Sequence, residues 1–225
     1  MKIVYPGSLG ATVDAINEAL FYSRPMGVRE KRAAVKWLAE RVNEKGSYAG
    51  MPAPTAKDFS QGAKVFTGEE PKSRASLAHI LGEEACRAMI LLGGDRGSTQ
   101  EVMARATAGM LERLKQTKWL GMYCCGTCSC GLWRHLAAGG LDRAEERLKA
   151  GVKILKAHRD GTGKWRRFPF NYTLLALTEM KVHRAVDEMR YAAVVCEKML
   201  ARRSEGNNKY TKRRRAVMER VLSMI

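Results

Sequence analysis

The sequence predicts an all-α protein built from stacked helical hairpins, and three observations carry that expectation. Apolar residues recur at helical spacing through most of the chain. Strand signals are nearly absent, since no Asn-Gly or Asp-Gly turn separates alternating β-branched runs. A pattern of helix, glycine and aromatic residue also recurs along the chain.

Taken in order, the first helix that the periodicity marks covers residues 28–45, through Val28, Val35, Leu38 and Val42, with Gly46 as its stop. Ser98 to Glu101 reads as a capping box opening a helix through Val102, Ala106, Met110 and Leu114. Asp142 to Glu145 repeats that cap logic after Gly139-Gly140 and opens a helix through Leu148, Val152 and Leu155, ending at Asp160-Gly161. Residues 183–203 form a long amphipathic stretch, 204–208 a loop, and 209–225 a basic C-terminal helix. The longer non-helical stretches fall near 46–54, 67–72, 93–97, 116–124 and 160–169. Eight to ten helices are expected, and no linker divides residues 1–225, so a single domain is expected.

The recurring pattern aligns residues 33–48 with 150–165. Each copy has a small residue, Val-Lys, an apolar pair (Trp37-Leu38; Ile154-Leu155), then Gly46 or Gly163 and an aromatic two residues later (Tyr48; Trp165). A looser third copy spans 108–123. A helix that ends on glycine and sends an aromatic back onto its neighbour cannot bury its apolar face alone, so such units stack. The pattern resembles the repeat of the α/α-toroid families, the protein prenyltransferases and squalene–hopene cyclases. There a small residue, an aromatic–aliphatic pair, Gln and Gly-x-Trp stand where this chain has Gly151, Ile154, Leu155, Arg159, Gly163 and Trp165. The resemblance covers roughly residues 30–180 and implies a partial α/α-toroid or solenoid with an aromatic-lined concavity. It carries no catalytic residue: there is no Asp-x-Asp-Asp run and no Asp, Cys and His set for the prenyltransferase zinc site.

Composition bounds the function classes. Of 225 residues 45% are hydrophobic, too many for a disordered chain, and no apolar run is long enough to span a membrane. Asp14, Asn17 and Glu18 interrupt the N-terminal apolar residues, so a signal peptide is not expected and a cytoplasmic location is. In a reducing compartment six cysteines read as buried thiols, metal ligands or redox groups. The net charge is +17, of which residues 151–225 carry +11. That asymmetry suits nucleic acid, acidic proteins or another polyanion, or serves as a solubilising surface.

Three constellations could carry chemistry. The cluster Cys124, Cys125, Cys128 and Cys130 contains one C-x-x-C, Cys125 to Cys128, at the start of a helix that holds Trp133 and His135. Two thiolates supply half a zinc site, and a helix N-terminus lowers a thiol pKa, so metal binding, redox chemistry and plain packing all remain open. Cys86 and Cys196 lie in apolar helical runs and read as core. In the segment 164–172, Trp165, Arg166, Arg167, Phe168 and Tyr172 interleave aromatic and cationic groups, which suits a pocket mouth for an anionic or apolar ligand, base stacking, or a pinned loop. Within the basic tail, Arg213, Arg214 and Arg215 point about 100° apart on a helix, which favours a solvated helix end over a phosphate-binding stripe. His79 and Glu83 share a helix face, as a proton-transfer pair or a satisfied surface pair.

The leading expectation is a ligand-binding helical domain, with Trp133, Arg134, His135, Trp165, Arg166, Arg167, Phe168 and Tyr172 around a concave, basic-rimmed site and no reaction assigned. The rivals are a nucleic-acid-binding or scaffold module using the basic C-terminal third, and a metal- or redox-dependent protein using Cys125 and Cys128, with zinc as the candidate ion. A homo-oligomer is compatible with a partial toroid, whose terminal helices are left uncovered.

Overall fold

The computed structural model describes residues 2–94, 97–202 and 206–225. Among these, ten α-helices account for the regular structure: α1 (Leu9–Phe21), α2 (Val28–Ala39), α3 (Ala56–Gln61), α4 (Arg74–Leu91), α5 (Gln100–Lys115), α6 (Gly126–Ala137), α7 (Ala144–Ala157), α8 (Phe170–Glu179), α9 (His183–Ala201) and α10 (Lys209–Ser223). No helix among the described residues is long and apolar enough to cross a membrane.

Short polar side chains fix several helix starts by satisfying otherwise unpaired N–H groups. Ser8 accepts from the Ala11 N–H, Thr55 from Asp58, Ser73 from Ser76, and Asn208 from Tyr210 and Thr211. Two expected boundaries move. The helix marked over 28–45 ends at Ala39, because the chain turns and Val42 bridges to Pro52. At α7 the residue before the helix is Arg143, left-handed at φ 48°, and Asp142 binds the Arg147 guanidinium (2.8 Å) instead of capping. Residues 95–96 of the 93–97 loop, residue 203 of the 183–203 stretch and residues 204–205 of the 204–208 loop lie outside the described residues.

Helices α4, α6 and α8 are buried over most of their length, whereas α2, α5, α7 and α9 bury one stripe each. The spatial order α1, α4, α6, α8, α10 is a chain of packed neighbours. It closes where Arg213 on α10 reaches Asp14 (2.6 Å) and Glu18 (2.5 Å) on α1, and Arg220 reaches the Phe21 carbonyl (2.6 Å). The contacts also fix direction. Gly10 lies by Leu81 and Asn17 meets Glu84; Ile80 lies by Gly131 and Glu84 meets Arg134; Cys130 meets Thr173 and Arg134 meets Glu179, so residue numbers rise together at each joint. Asp14 pairs with Arg213 and Phe21 with Arg220, rising together along both chains. Five helices therefore run parallel around a closed circuit, and their N-termini share one end of the molecule.

The middle of that circuit is polar. Glu84 accepts from Asn17 (2.9 Å), from Tyr172 (2.5 Å) and from Arg134, while Glu179 accepts two bonds from Arg134 (2.9 Å each) and one from Arg87 (2.7 Å). Arg87 also donates to Asn17 (2.7 Å). Two guanidinium and two carboxylate groups balance, as burial of charge requires. Burial opposes the charge on Glu179, but the two arginines outweigh it and hold its carboxyl below the ordinary range.

Candidate functional site: the start of helix α6

Helix α6 begins where the loop over residues 116–125 meets the 158–169 loop. Cys125 occupies the N-cap with extended backbone (φ −155°), and its Sγ accepts from the Cys128 N–H (3.5 Å). One turn later, Ser129 ties the incoming chain by accepting from the Tyr123 N–H (3.0 Å) and donating to the Cys125 carbonyl (2.8 Å). Glycine at 126 is a requirement of the packing, because a Cβ there would lie 2.2 Å from the Arg167 carbonyl oxygen. The cysteine segment and the arginine-bearing loop thus touch backbone to backbone.

This geometry gathers three thiols. The Sγ atoms of Cys124, Cys125 and Cys128 all lie within 4.8 Å of one another, the first two residues exposed and the third buried. Hydrogen bonds from the Cys124 and Cys128 thiols hold the Cys125 thiol well below its ordinary pKa; burial opposes them, and the N–H groups of Cys128 and Thr127 assist. The same bonds from Cys124 and Cys125, with burial, push the Cys128 thiol up. Packing alone accounts for Cys86, Cys130 and Cys196, all buried, but not for the exposed pair at 124 and 125. Cys130 meets Thr173 (3.4 Å), and its thiol is raised by burial. Among the described residues no fourth His, Cys, Asp or Glu joins the three thiols.

The eight residues expected around a concavity are divided by the fold. Trp133 is fully buried, donates to the Gly121 carbonyl (2.7 Å) and stacks on Phe168 (centroids 5.5 Å, 13°). Trp165 is buried and donates to Glu188 (2.9 Å), and Tyr172 and Arg134 belong to the central network. These five side chains, Phe168 included, fill the core. Arg166 and Arg167 are exposed, and the Arg167 backbone, left-handed at φ 66°, lies against Gly126. Two surface cavities of about 840 and 800 Å³ lie elsewhere, and none of the eight residues lines either.

His135 joins a second polar group that sequence spacing only half revealed. Glu83 is fully buried between His79 (3.2 Å) and the Nδ1 of His135, so the pair at 79 and 83 is a core feature and not a surface one. Burial opposes the charge on Glu83, but the charge and hydrogen bonds of His135 and His79 overcome it and hold the carboxyl down to about 2. The His79 ring packs against Tyr123 (4.4 Å) and Tyr48 (5.0 Å), whose hydroxyls share a hydrogen bond of 2.5 Å.

The arginines of the basic tail are committed internally, against the expectation of a solvated helix end. Arg213 is buried on Asp14 and Glu18, Arg214 donates to the Thr67 carbonyl (2.6 Å), and Arg215 to the Leu200 carbonyl (3.3 Å). Asn17, Arg87, Glu179 and Glu188 complete the buried networks and carry no sequence signal beyond being polar residues within helices. No family model, curated protein or solved structure matches the chain.

Proposed function

We propose that this is a helical metal–thiolate protein in which Cys124, Cys125 and Cys128 hold one soft divalent ion, zinc by preference. The convergence of three Sγ atoms within 4.8 Å carries the reading. Tetrahedral zinc with Zn–S bonds near 2.3 Å needs sulfurs about 3.8 Å apart, so small side-chain rotations bring these three onto one ion. The α6 N-terminus supplies N–H groups and a positive dipole end that favour thiolates over thiols. Three protein ligands leave the fourth position to solvent or to an incoming group, the pattern of a reactive zinc site and not of a closed structural one. The Arg167 backbone lies against Gly126 at the start of this helix, and a charge from the exposed Arg166 or Arg167 side chain reaching that position would suit an anionic ligand.

Metal analysis of protein purified under reducing conditions tests this, together with cobalt substitution read by thiolate-to-cobalt charge-transfer absorption. One ion per chain is expected, and the Cys125→Ser, Cys128→Ser double variant should bind none. A chain with fully reduced thiols that takes up neither zinc nor cobalt overturns the reading.

One observation favours a second function for the same residues. An exposed Cys125 at the α6 N-cap, with its Sγ within 4.8 Å of the Sγ of the buried Cys128, suits thiol–disulfide exchange. The Cys125 thiolate attacks a substrate disulfide, forming a mixed disulfide and releasing one substrate sulfur as thiolate. The Cys128 sulfur, its proton passing to that thiolate, then attacks the mixed disulfide and frees the second substrate sulfur, leaving a Cys125–Cys128 disulfide and a reduced substrate. A metal-free protein that gains this disulfide from oxidised glutathione supports the second reading over the first.

The architecture is proposed to be of the α/α-toroid kind. The closed circuit of parallel helices supports it, as do the left-handed glycines Gly46 (φ 92°) and Gly163 (φ 95°) at matching places in the two repeat copies.

A further inference from the structure

At the same end of the molecule as the thiols, a separate cleft of about 840 Å³ opens between the starts of α1, α4 and α10 and the 62–73 loop. Its wall carries acids and bases, and internal pairing decides the balance. Asp14 is held by Arg213 (2.6 Å) and Lys209 (2.9 Å), Glu18 by Arg213 (2.5 Å) and Arg24 (2.7 Å), and Glu70 by Lys64 (2.9 Å). Among the described residues no carboxylate pairs with Lys57, Lys72 or Arg74, which line the same cleft. The Arg74 guanidinium is braced over the Phe59 ring at 4.2 Å, so its charge is presented in a fixed place.

The helix starts differ in the same sense. Asp58 already neutralises the start of α1, taking the N–H groups of Leu9 (2.8 Å) and Gly10 (3.2 Å). The first turn of α4 contains no acid, and Ser73 caps only Ser76. Three cations without a carboxylate partner, and a helix start with no acid in its first turn, thus line one cavity together with the rings of Tyr5, Phe59 and Tyr210.

We infer that this cleft binds a small phosphorylated organic molecule, its phosphate on Lys57, Lys72 and Arg74 and its body against the aromatic rings. Phosphate chemistry fits better than a lone carboxylate, because a dianion with three terminal acceptor oxygens can engage several cations at once. The volume falls in the range of small-molecule sites and exceeds what a bare phosphate fills. The inference is independent of the thiol site, with which the cleft shares no residue.

Calorimetric titration of the full chain with inorganic phosphate and with phenyl phosphate tests it. Phenyl phosphate should bind saturably and more tightly than phosphate, and Lys57→Gln with Lys72→Gln should weaken it about tenfold, the loss of roughly 1.4 kcal/mol. These two lysines make no contact that the fold needs, so the double variant is expected to keep its circular dichroism and melting point. Lys153→Gln on α7, outside the cleft, is the charge control and should change nothing. Absence of saturable binding overturns the inference. So does an equal loss in the Lys153→Gln control, which would mark a diffuse response to net charge, or equal affinity for phosphate and phenyl phosphate, which would leave the aromatic rings without a role.

Discussion

At the residue scale the decisive feature is that charge is buried in balanced sets. Arg134 faces Glu84 and Glu179, and Arg87 shares Glu179, so removing one carboxylate leaves two guanidinium groups opposite one acid. Glu84→Gln keeps the shape and, through its one carbonyl oxygen, the bond from Tyr172, but it sets an amide NH2 against the Asn17 donor and lifts that balance. It should cost about 3 kcal/mol in urea unfolding, as breaking a buried pair does. Adding Arg134→Met restores a one-to-one match between Arg87 and Glu179, so the double variant should recover most of that loss. A double variant no more stable than Glu84→Gln would show that Arg134 contributes through packing and hydrogen bonds and not through charge. Glu83 yields a pH prediction. Its folded pKa, about 2, lies below the ordinary 4.5, so the stability it contributes is present above pH 4.5 and is lost as pH falls from there towards 2. Acid denaturation of Glu83→Gln should lack this component, giving a flatter stability profile across that interval than the parent.

At the element scale, the helices whose apolar face is a stripe were legible in the sequence, and those buried all round were less so. Val35 to Leu38, Ala106 to Leu114 and Leu148 to Leu155 show the 3.6-residue period because their other face meets water, whereas Val28, read into the first stripe, is exposed. In α4 the buried run from Leu77 to Met89 includes His79, Glu83, Glu84 and Arg87, so charge falls on its inward faces and the period disappears. Polar residues in α6 and α8 were read as the lining of an open site for the same reason: a sequence shows that Arg134 and Tyr172 sit among apolar residues, but not that Glu84 and Glu179 meet them. The cysteine motif at the start of α6 was legible because C-x-x-C at a helix start depends only on local spacing. The participation of Cys124 was not, since it depends on the loop that Ser129 fastens. The close approach of that loop region to residues 167–168 gives a prediction for the element. Gly126→Ala would set a methyl 2.2 Å from the Arg167 carbonyl and 2.8 Å from the Phe168 Cα, so either α6 or the loop must move. A cost of about 1–3 kcal/mol is expected, a fall of roughly 2–12 °C in melting temperature for a chain of this size. The metal occupancy proposed for the thiols should fall with it.

For the whole molecule, the circuit of parallel helices has one closing joint made chiefly by side chains, between α10 and α1. Arg213 is the centre of that joint: it is 2% exposed, pairs with both Asp14 and Glu18, donates to the Phe66 carbonyl (3.3 Å) and lies over the Phe66 ring (4.4 Å). The remaining joints combine apolar packing with the central polar network and are packed more extensively, so loosening this one should open the circuit without unfolding it. Arg213→Met keeps the length of the side chain and part of its packing on Phe66. It leaves Asp14 with Lys209 and Glu18 with Arg24, so neither carboxylate is orphaned. The loss is then that of charge-assisted hydrogen bonds, about 2 kcal/mol, and it falls on local opening before it falls on global unfolding. Amide hydrogen exchange should therefore accelerate about thirtyfold in α1 and α10, while α4 and α6 change much less. Uniform acceleration in all five helices would mean that the circuit opens only by complete unfolding, and that Arg213 stabilises the fold as a whole and not its closing joint.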